Sequence, residues 1–244
     1  MLSTIDLIVT FLFNIINIFV KKFPKPRLRE IKIMSKENID NFYFLPATSN
    51  NNSQLKNRIL SKHGKNHIYT VDVFYHLTPN VNKSLIRINK TYNIAKEDIK
   101  MSISKGRKIN ILGQSLGTLF AVKLSSEFQC EKLTLVVPGD KLGETAWESW
   151  LTGPNARMSG IKKEEYSRAY KEYDINKWAK KIMAKKIVIY LAGIDSITSA
   201  KRGARVAKII KKCNKNTKVI KWWILGHMLT IVLSAWAIKK ENEK

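Results

Sequence analysis

Ser115 stands at the centre of Gly113-Gln114-Ser115-Leu116-Gly117, where an apolar run at 108–113 (KINILG) gives way to a helix-forming stretch at 116–128. A serine hydroxyl attacks carbonyl carbon only when a neighbouring base takes its proton. The short pattern recurs by chance, and its context gives it weight. A sharp strand-to-helix turn forces Ser115 into a strained backbone conformation, and glycines two positions away on each side leave room where larger side chains would collide. The hydroxyl is then raised at the C-terminal end of a strand. The helix N-terminus and the Leu116 amide face the place where an oxyanion would form. The simpler alternative is a serine that only caps its helix.

A base and an acid are needed next. His227 follows the run 218–225 (KVIKWWIL) in Leu225-Gly226-His227-Met228, which puts it on the same sheet edge as Ser115. His63 and His67 precede a strand and are expected on the opposite edge, exposed to solvent. His76 ends the run 68–75, either lining a pocket or sitting in a loop, partly buried. Asp195 closes the run 186–195 (KIVIYLAGID), and Asp140 in Val137-Pro138-Gly139-Asp140 is its rival. Asp195 is preferred because a G-x-D turn leads into a helix and the chain order Ser, Asp, His holds. An aspartate at a turn is also a common cap. Gln114, His76, Trp147, Trp150 and Met228 are the candidate pocket residues.

These residues need a frame. Apolar runs at 42–47, 68–75, 108–113, 132–137, 186–192 and 218–225 read as six strands. Helix-period stretches at 54–62, 84–105, 116–128 and 199–212 lie between them. Alternation of this kind predicts an α/β three-layer sandwich, a mainly parallel sheet with helices on both faces. Right-handed crossovers place every strand's C-terminal end on one edge, where ligands bind. The stretch 140–180 breaks the alternation; it holds Trp147, Trp150, Tyr166, Tyr170, Tyr173 and Trp178 and predicts short helices.

With GQSLG at 113–117, AGID at 192–195 and LGHM at 225–228, each after a strand, the chain resembles the α/β-hydrolase superfamily from about residue 41 to 244. The resemblance implies a Ser115–Asp195–His227 triad and no metal or organic cofactor. It implies an oxyanion hole from the Leu116 amide and a second amide after the first core strand. Many relatives begin that loop with His-Gly; this chain reads Pro46-Ala47-Thr48, so Ala47 or Thr48 supplies the donor. Relatives often carry two further strands at the start, whereas this chain has room for the six-stranded core alone after its linker. Residues 141–180 fall where such hydrolases carry a helical lid, with an ordinary packed connection as the alternative. The implied activity is a serine hydrolase acting on an ester, thioester or related acyl bond of a small-molecule or lipid-like substrate. The acyl-enzyme would be released by water or by an alcohol. A non-catalytic scaffold on the same fold is the competing class.

Composition narrows the partners. Of 244 residues, 44% are hydrophobic and 26% charged, which excludes a mainly disordered chain. Lys plus Arg number 44 against 19 Asp plus Glu, a net charge of +25. That excess favours an anionic partner. The basic residues are spread without a recognition motif, so no specific nucleic acid is expected. Cys130 and Cys213 form no metal spacing and no disulfide framework, as suits a reducing compartment.

Residues 1–23 predict a retained apolar helix. Ser3, Asp6, Thr10, Asn14, Asn17 and Lys21 form a narrow polar stripe, and a basic flank runs to Arg29. The pattern fits a helix that lies on or spans a membrane on its cytoplasmic side, contacting it through residues 1–29. Docking on the protein's own core, with a soluble cytoplasmic protein, is the alternative. Pro24 and Pro26 open a charged linker to residue 40, and the hydrolase-like domain follows at 41–244.

Overall fold

Segments such as FYFL at 42–45 and IVIYLA at 187–192 have no polar side to turn towards water, and each is buried on both faces as a strand. The computed structural model describes residues 29–31, 38–47 and 53–242. Its strands are β1 (Arg29–Ile31), β2 (Ile39–Leu45), β3 (Lys65–Thr70), β4 (Lys108–Gln114), β5 (Cys130–Val136), β6 (Ala184–Ala192) and β7 (Thr217–Trp222). They form one sheet in the order β1-β3-β2-β4-β5-β6-β7. Strands β2 to β7 are parallel, and β1 adds an antiparallel edge to β3.

Helices cover both faces. On one side α3 (Val81–Ser104), α4 (Gly117–Ser125) and α9 (Ala200–Cys213) bury Ile88, Tyr92, Phe120, Val206 and Ile210. On the other, α1 (Ser53–Ile59) and α10 (His227–Asn242) bury Leu55, Ile59, Ile231, Ala235 and Ile238. The insertion between β5 and β6 forms α5 (Leu142–Glu148), α6 (Gly153–Arg157), α7 (Lys163–Ala169), a 3₁₀ turn (Lys171–Tyr173) and α8 (Ile175–Ala179). It joins the first face through buried Tyr166, Tyr170 and Tyr173.

Several elements differ from the sequence reading. The six expected strands are present, and β1 is a seventh, inside the stretch read as linker. The strand expected at 68–75 runs instead from Lys65 to Thr70. Asp72 then accepts hydrogen bonds from the amides of Phe74 (2.8 Å) and Tyr75 (3.3 Å) and starts the short helix α2 (Val73–His76). His67 is therefore inside β3 rather than before it. It is 6% exposed, stacks on Phe42 with ring centres 4.5 Å apart, and lies 3.7 Å from Asp40. His63 is exposed, as expected. The apolar helix expected at 1–23, most of the linker expected at 24–40, and Thr48 lie outside the described residues.

Candidate active site

β4 ends at Gln114 and α4 begins at Gly117, so Ser115 and Leu116 make the whole turn. Ser115 has φ 51°, a left-handed conformation that a serine adopts at a cost of about 1–3 kcal/mol. The glycines are required by close approach. A Cβ on Gly113 would lie 2.5 Å from the Gly117 carbonyl oxygen, and one on Gly117 would lie 2.2 Å from that of Phe44. Both obstacles are backbone and cannot swing aside. Gly117→Ala is therefore expected to cost about 2 kcal/mol or more and to lower Tm by several degrees in thermal unfolding. An unchanged Tm would contradict this packing.

Three side chains meet at the C-terminal edge of the sheet. His227, the first residue of α10, lies with Nε2 3.0 Å from the Ser115 hydroxyl and Nδ1 2.9 Å from Asp195 Oδ2. The histidine is 2% exposed, so bulk water does not compete for either contact. Asp195 follows β6 and is held in turn. Its Oδ1 accepts from the amides of Ile197 (2.9 Å) and Thr198 (2.8 Å), and its Oδ2 accepts from the Thr198 hydroxyl (2.6 Å). Burial alone would raise the Asp195 pKa. The neighbouring His227 and the hydrogen bonds from His227 and Thr198 outweigh it and hold the carboxyl below the usual carboxylate range. With the Nδ1–H donated to a carboxylate, Nε2 is left to accept from the serine.

An anion forming at Ser115 would face α4. Among the described residues the Leu116 amide has no internal acceptor, whereas the amides on either side of the turn are engaged: Ser115 with Val136 O and Thr118 with Ser115 O. Ala47 stands two residues beyond the end of β2, the strand beside β4.

Asp140 has a different role. It is buried between two arginines: Arg202 donates at 2.9 Å, Arg205 at 2.8 and 3.1 Å, and Asn176 at 3.3 Å. Burial would raise its pKa, but the hydrogen bonds from Arg205, Arg202 and Asn176 more than reverse this and hold it below the usual range. Arg202 goes on to Glu148 (2.7 Å) and Glu144 (3.3 Å), tying α9 to α5. Because the folded pKa lies below the unfolded one, Asp140 contributes stability that is fully present above about pH 4 and is lost as pH falls through the folded value. Removing the charge takes one of three carboxylate partners from Arg202 and weakens both hydrogen bonds from Arg205, at a cost of about 1–3 kcal/mol. Asp140→Asn is expected to lower the urea midpoint at pH 7 and to flatten the acid loss of stability below pH 4. Parallel curves for the two proteins would contradict the clamp.

The expected pocket residues separate. Gln114 is fully buried on the α1/α10 face, and neither of its amide atoms has a partner among the described residues. His76 is fully buried as well, not at a strand end. Its Nδ1 lies 2.8 Å from the Asp72 carbonyl and its Nε2 3.0 Å from the Thr91 hydroxyl, so both nitrogens are engaged, and burial lowers its pKa. Trp147 packs on Tyr166 within the insertion, with ring centres 5.5 Å apart. The indole N–H of Trp150 is buried without a partner among the described residues. Met228 packs against the α1/α10 core beside His227.

Comparison with known proteins rests on shape. No family model and no curated protein sequence matches the chain. Among solved structures, Est1E from Butyrivibrio proteoclasticus superposes with a TM-score of 0.61 at 15% identity, covering 88% of this chain and 93% of that one. An esterase of Pyrococcus furiosus gives a TM-score of 0.56 at 12% identity, over 89% and 91% of the two chains. A Mycobacterium tuberculosis puromycin-hydrolyzing peptidase gives 0.60 at 11% identity, over 91% of this chain and 40% of its own. The fold is that of the α/β-hydrolases. Within this α/β-hydrolase fold, β1 is one short antiparallel strand ahead of the six parallel ones. Thr198 and the Arg202–Arg205 pair are residues the sequence reading did not single out. Asp-x-x-Thr at 195–198, a carboxylate with a hydroxyl three residues on, carries the signal for the first. The arginine clamp has no local signal, because its partners are more than sixty positions apart.

Proposed function

We propose that the chain is a serine hydrolase that cleaves an ester or related acyl bond. The carrying observation is the unbroken hydrogen-bonded chain from Ser115 through His227 to Asp195, at 3.0 and 2.9 Å. In this reading Ser115 Oγ attacks the acyl carbon while His227 Nε2 takes the hydroxyl proton. The carbonyl oxygen becomes an anion next to the Leu116 amide and the start of α4, with Ala47 or Thr48 as the second donor. Collapse of the tetrahedral adduct expels the leaving group, to which His227 returns the proton. Water, or an alcohol in acyl transfer, then attacks the acyl-enzyme by the same steps in reverse. Asp195 keeps the imidazole in the required tautomer and stabilises its charged form. Every step draws on these side chains and backbone amides alone.

The esterases among the structural neighbours support this reading, although the likeness to them is one of fold. A hydrophobic acyl group is favoured by the apolar character of residues 1–20 and by the aromatic insertion. Among the described residues no helix is long and apolar enough to cross a membrane. Contact of residues 1–29 with a membrane surface belongs to the proposal. A panel of p-nitrophenyl esters from acetyl to lauroyl tests it: turnover that is lost in Ser115→Ala is expected. No turnover of any ester above the Ser115→Ala background would overturn it.

A further inference from the structure

β7 runs out into Trp222-Trp223-Ile224-Leu225, and the middle two residues project into solvent, with Trp223 72% and Ile224 81% exposed. Ile194, 41% exposed, is fixed beside them. Its amide donates to the Leu225 carbonyl at 3.1 Å, and the Gly193 amide donates to that of Trp222 at 2.8 Å. The two segments touch backbone to backbone, since a Cβ on Gly193 would fall 2.0 Å from the Trp223 oxygen. This is a braced turn that holds large apolar side chains outward, against the tendency of such surface to leave water.

The surroundings are basic. The one acid in residues 192–226, Asp195, has its carboxylate buried against His227, so this segment presents no exposed carboxylate. The Lys221 ammonium lies 3.5 Å from the centre of the Trp223 ring. Lys201 is exposed near the start of α9 on the same sheet edge. An exposed indole with an ammonium on its face and an exposed isoleucine beside it are the chemistry that suits the headgroup boundary of an anionic bilayer. A nucleic acid would match the charge but not the apolar tip.

We propose that the Trp223–Ile224 turn, with Ile194 beside it, is a contact for the surface of an anionic lipid bilayer. Ile194 directly precedes Asp195, and His227 lies three positions beyond Ile224, so this contact and the Ser115 site share one edge. A lipid-borne acyl ester would then be met at the surface itself. That consequence rests on the hydrolase reading; the contact does not.

The test uses the full chain and phosphatidylglycerol vesicles with brominated acyl chains, which quench tryptophan at short range. None of the six tryptophans lies in residues 1–29, so that segment adds no signal of its own. Quenching is expected, most of it lost in Trp223→Phe, kept in Trp236→Phe, and weak with brominated phosphatidylcholine. In parallel, the double variant Trp223→Ser/Ile224→Ser should keep its turnover of a soluble acetyl ester. On an ester carried in the vesicles it should lose about tenfold. Equal quenching of wild type and Trp223→Phe overturns the contact. So does a protein indifferent to vesicles whose dimer is broken by Trp223→Ser. Quenching that depends on Trp223 in a protein that hydrolyses no ester supports the contact and sinks the hydrolase reading instead.

Discussion

Ser115→Ala is expected to lower kcat for ester hydrolysis by about four to six orders of magnitude while leaving the fold intact. The substitution removes one oxygen from a half-buried position and disturbs no backbone hydrogen bond, so Tm should hold. The loss should be matched by His227→Ala, because a nucleophile without its base and a base without its nucleophile are equally idle. For the same reason the double variant should be no slower than either single one. At about 1.4 kcal/mol per tenfold, these losses correspond to about 6–8 kcal/mol of transition-state stabilisation. Multiplying losses in the double variant would mean that the two residues act independently, contrary to the 3.0 Å contact between them. KM should move little, since the serine hydroxyl is spent on the transition state rather than on binding substrate.

Asp195→Asn should cost about four orders of magnitude in kcat with a smaller loss of stability than Asp140→Asn shows. The amide fills the same space. Its NH₂ group, turned towards His227, would favour the tautomer with a proton on Nε2, which cannot accept from serine. Asp140→Asn should show the opposite pattern, kcat within a few-fold of wild type and a markedly less stable protein. Asp140 is engaged by Arg202, Arg205 and Asn176, and Asp195 is the carboxylate on His227. Kinetics and urea unfolding on the same two variants separate the roles. If Asp140→Asn stops turnover and Asp195→Asn does not, the acid has been assigned to the wrong strand.

That Ser115, Asp195 and His227 meet was legible because each lies in the connection after a strand, and the ends of parallel strands share one edge. Central strands such as KINILG at 108–113 are legible for a related reason: buried on both faces, they carry unbroken apolar runs. β1 was not, since Arg-Glu-Ile carries two charges and pairs along a sheet edge. The strand at 68–75 was overextended because Val71 and Val73 continue its apolar rhythm, while the Asp72 cap that ends it is one side chain. Burial of His67 follows from that shift of register and from its stack on Phe42. α10 gave little helical period, because Leu233 and Trp236 are apolar on its exposed side. The pocket candidates rested on position alone. His76 found partners in Asp72 and Thr91, and Trp147 in Tyr166, all set by tertiary packing.

Reaction with a fluorophosphonate tests the central claim most directly, because the reagent captures a serine only when base and oxyanion donors act on it together. The folded full-length protein should form one covalent adduct, located at Ser115 by peptide mass spectrometry, and Ser115→Ala and His227→Ala should form none. A folded protein that takes up no label, or takes it on a serine other than Ser115, would contradict the account.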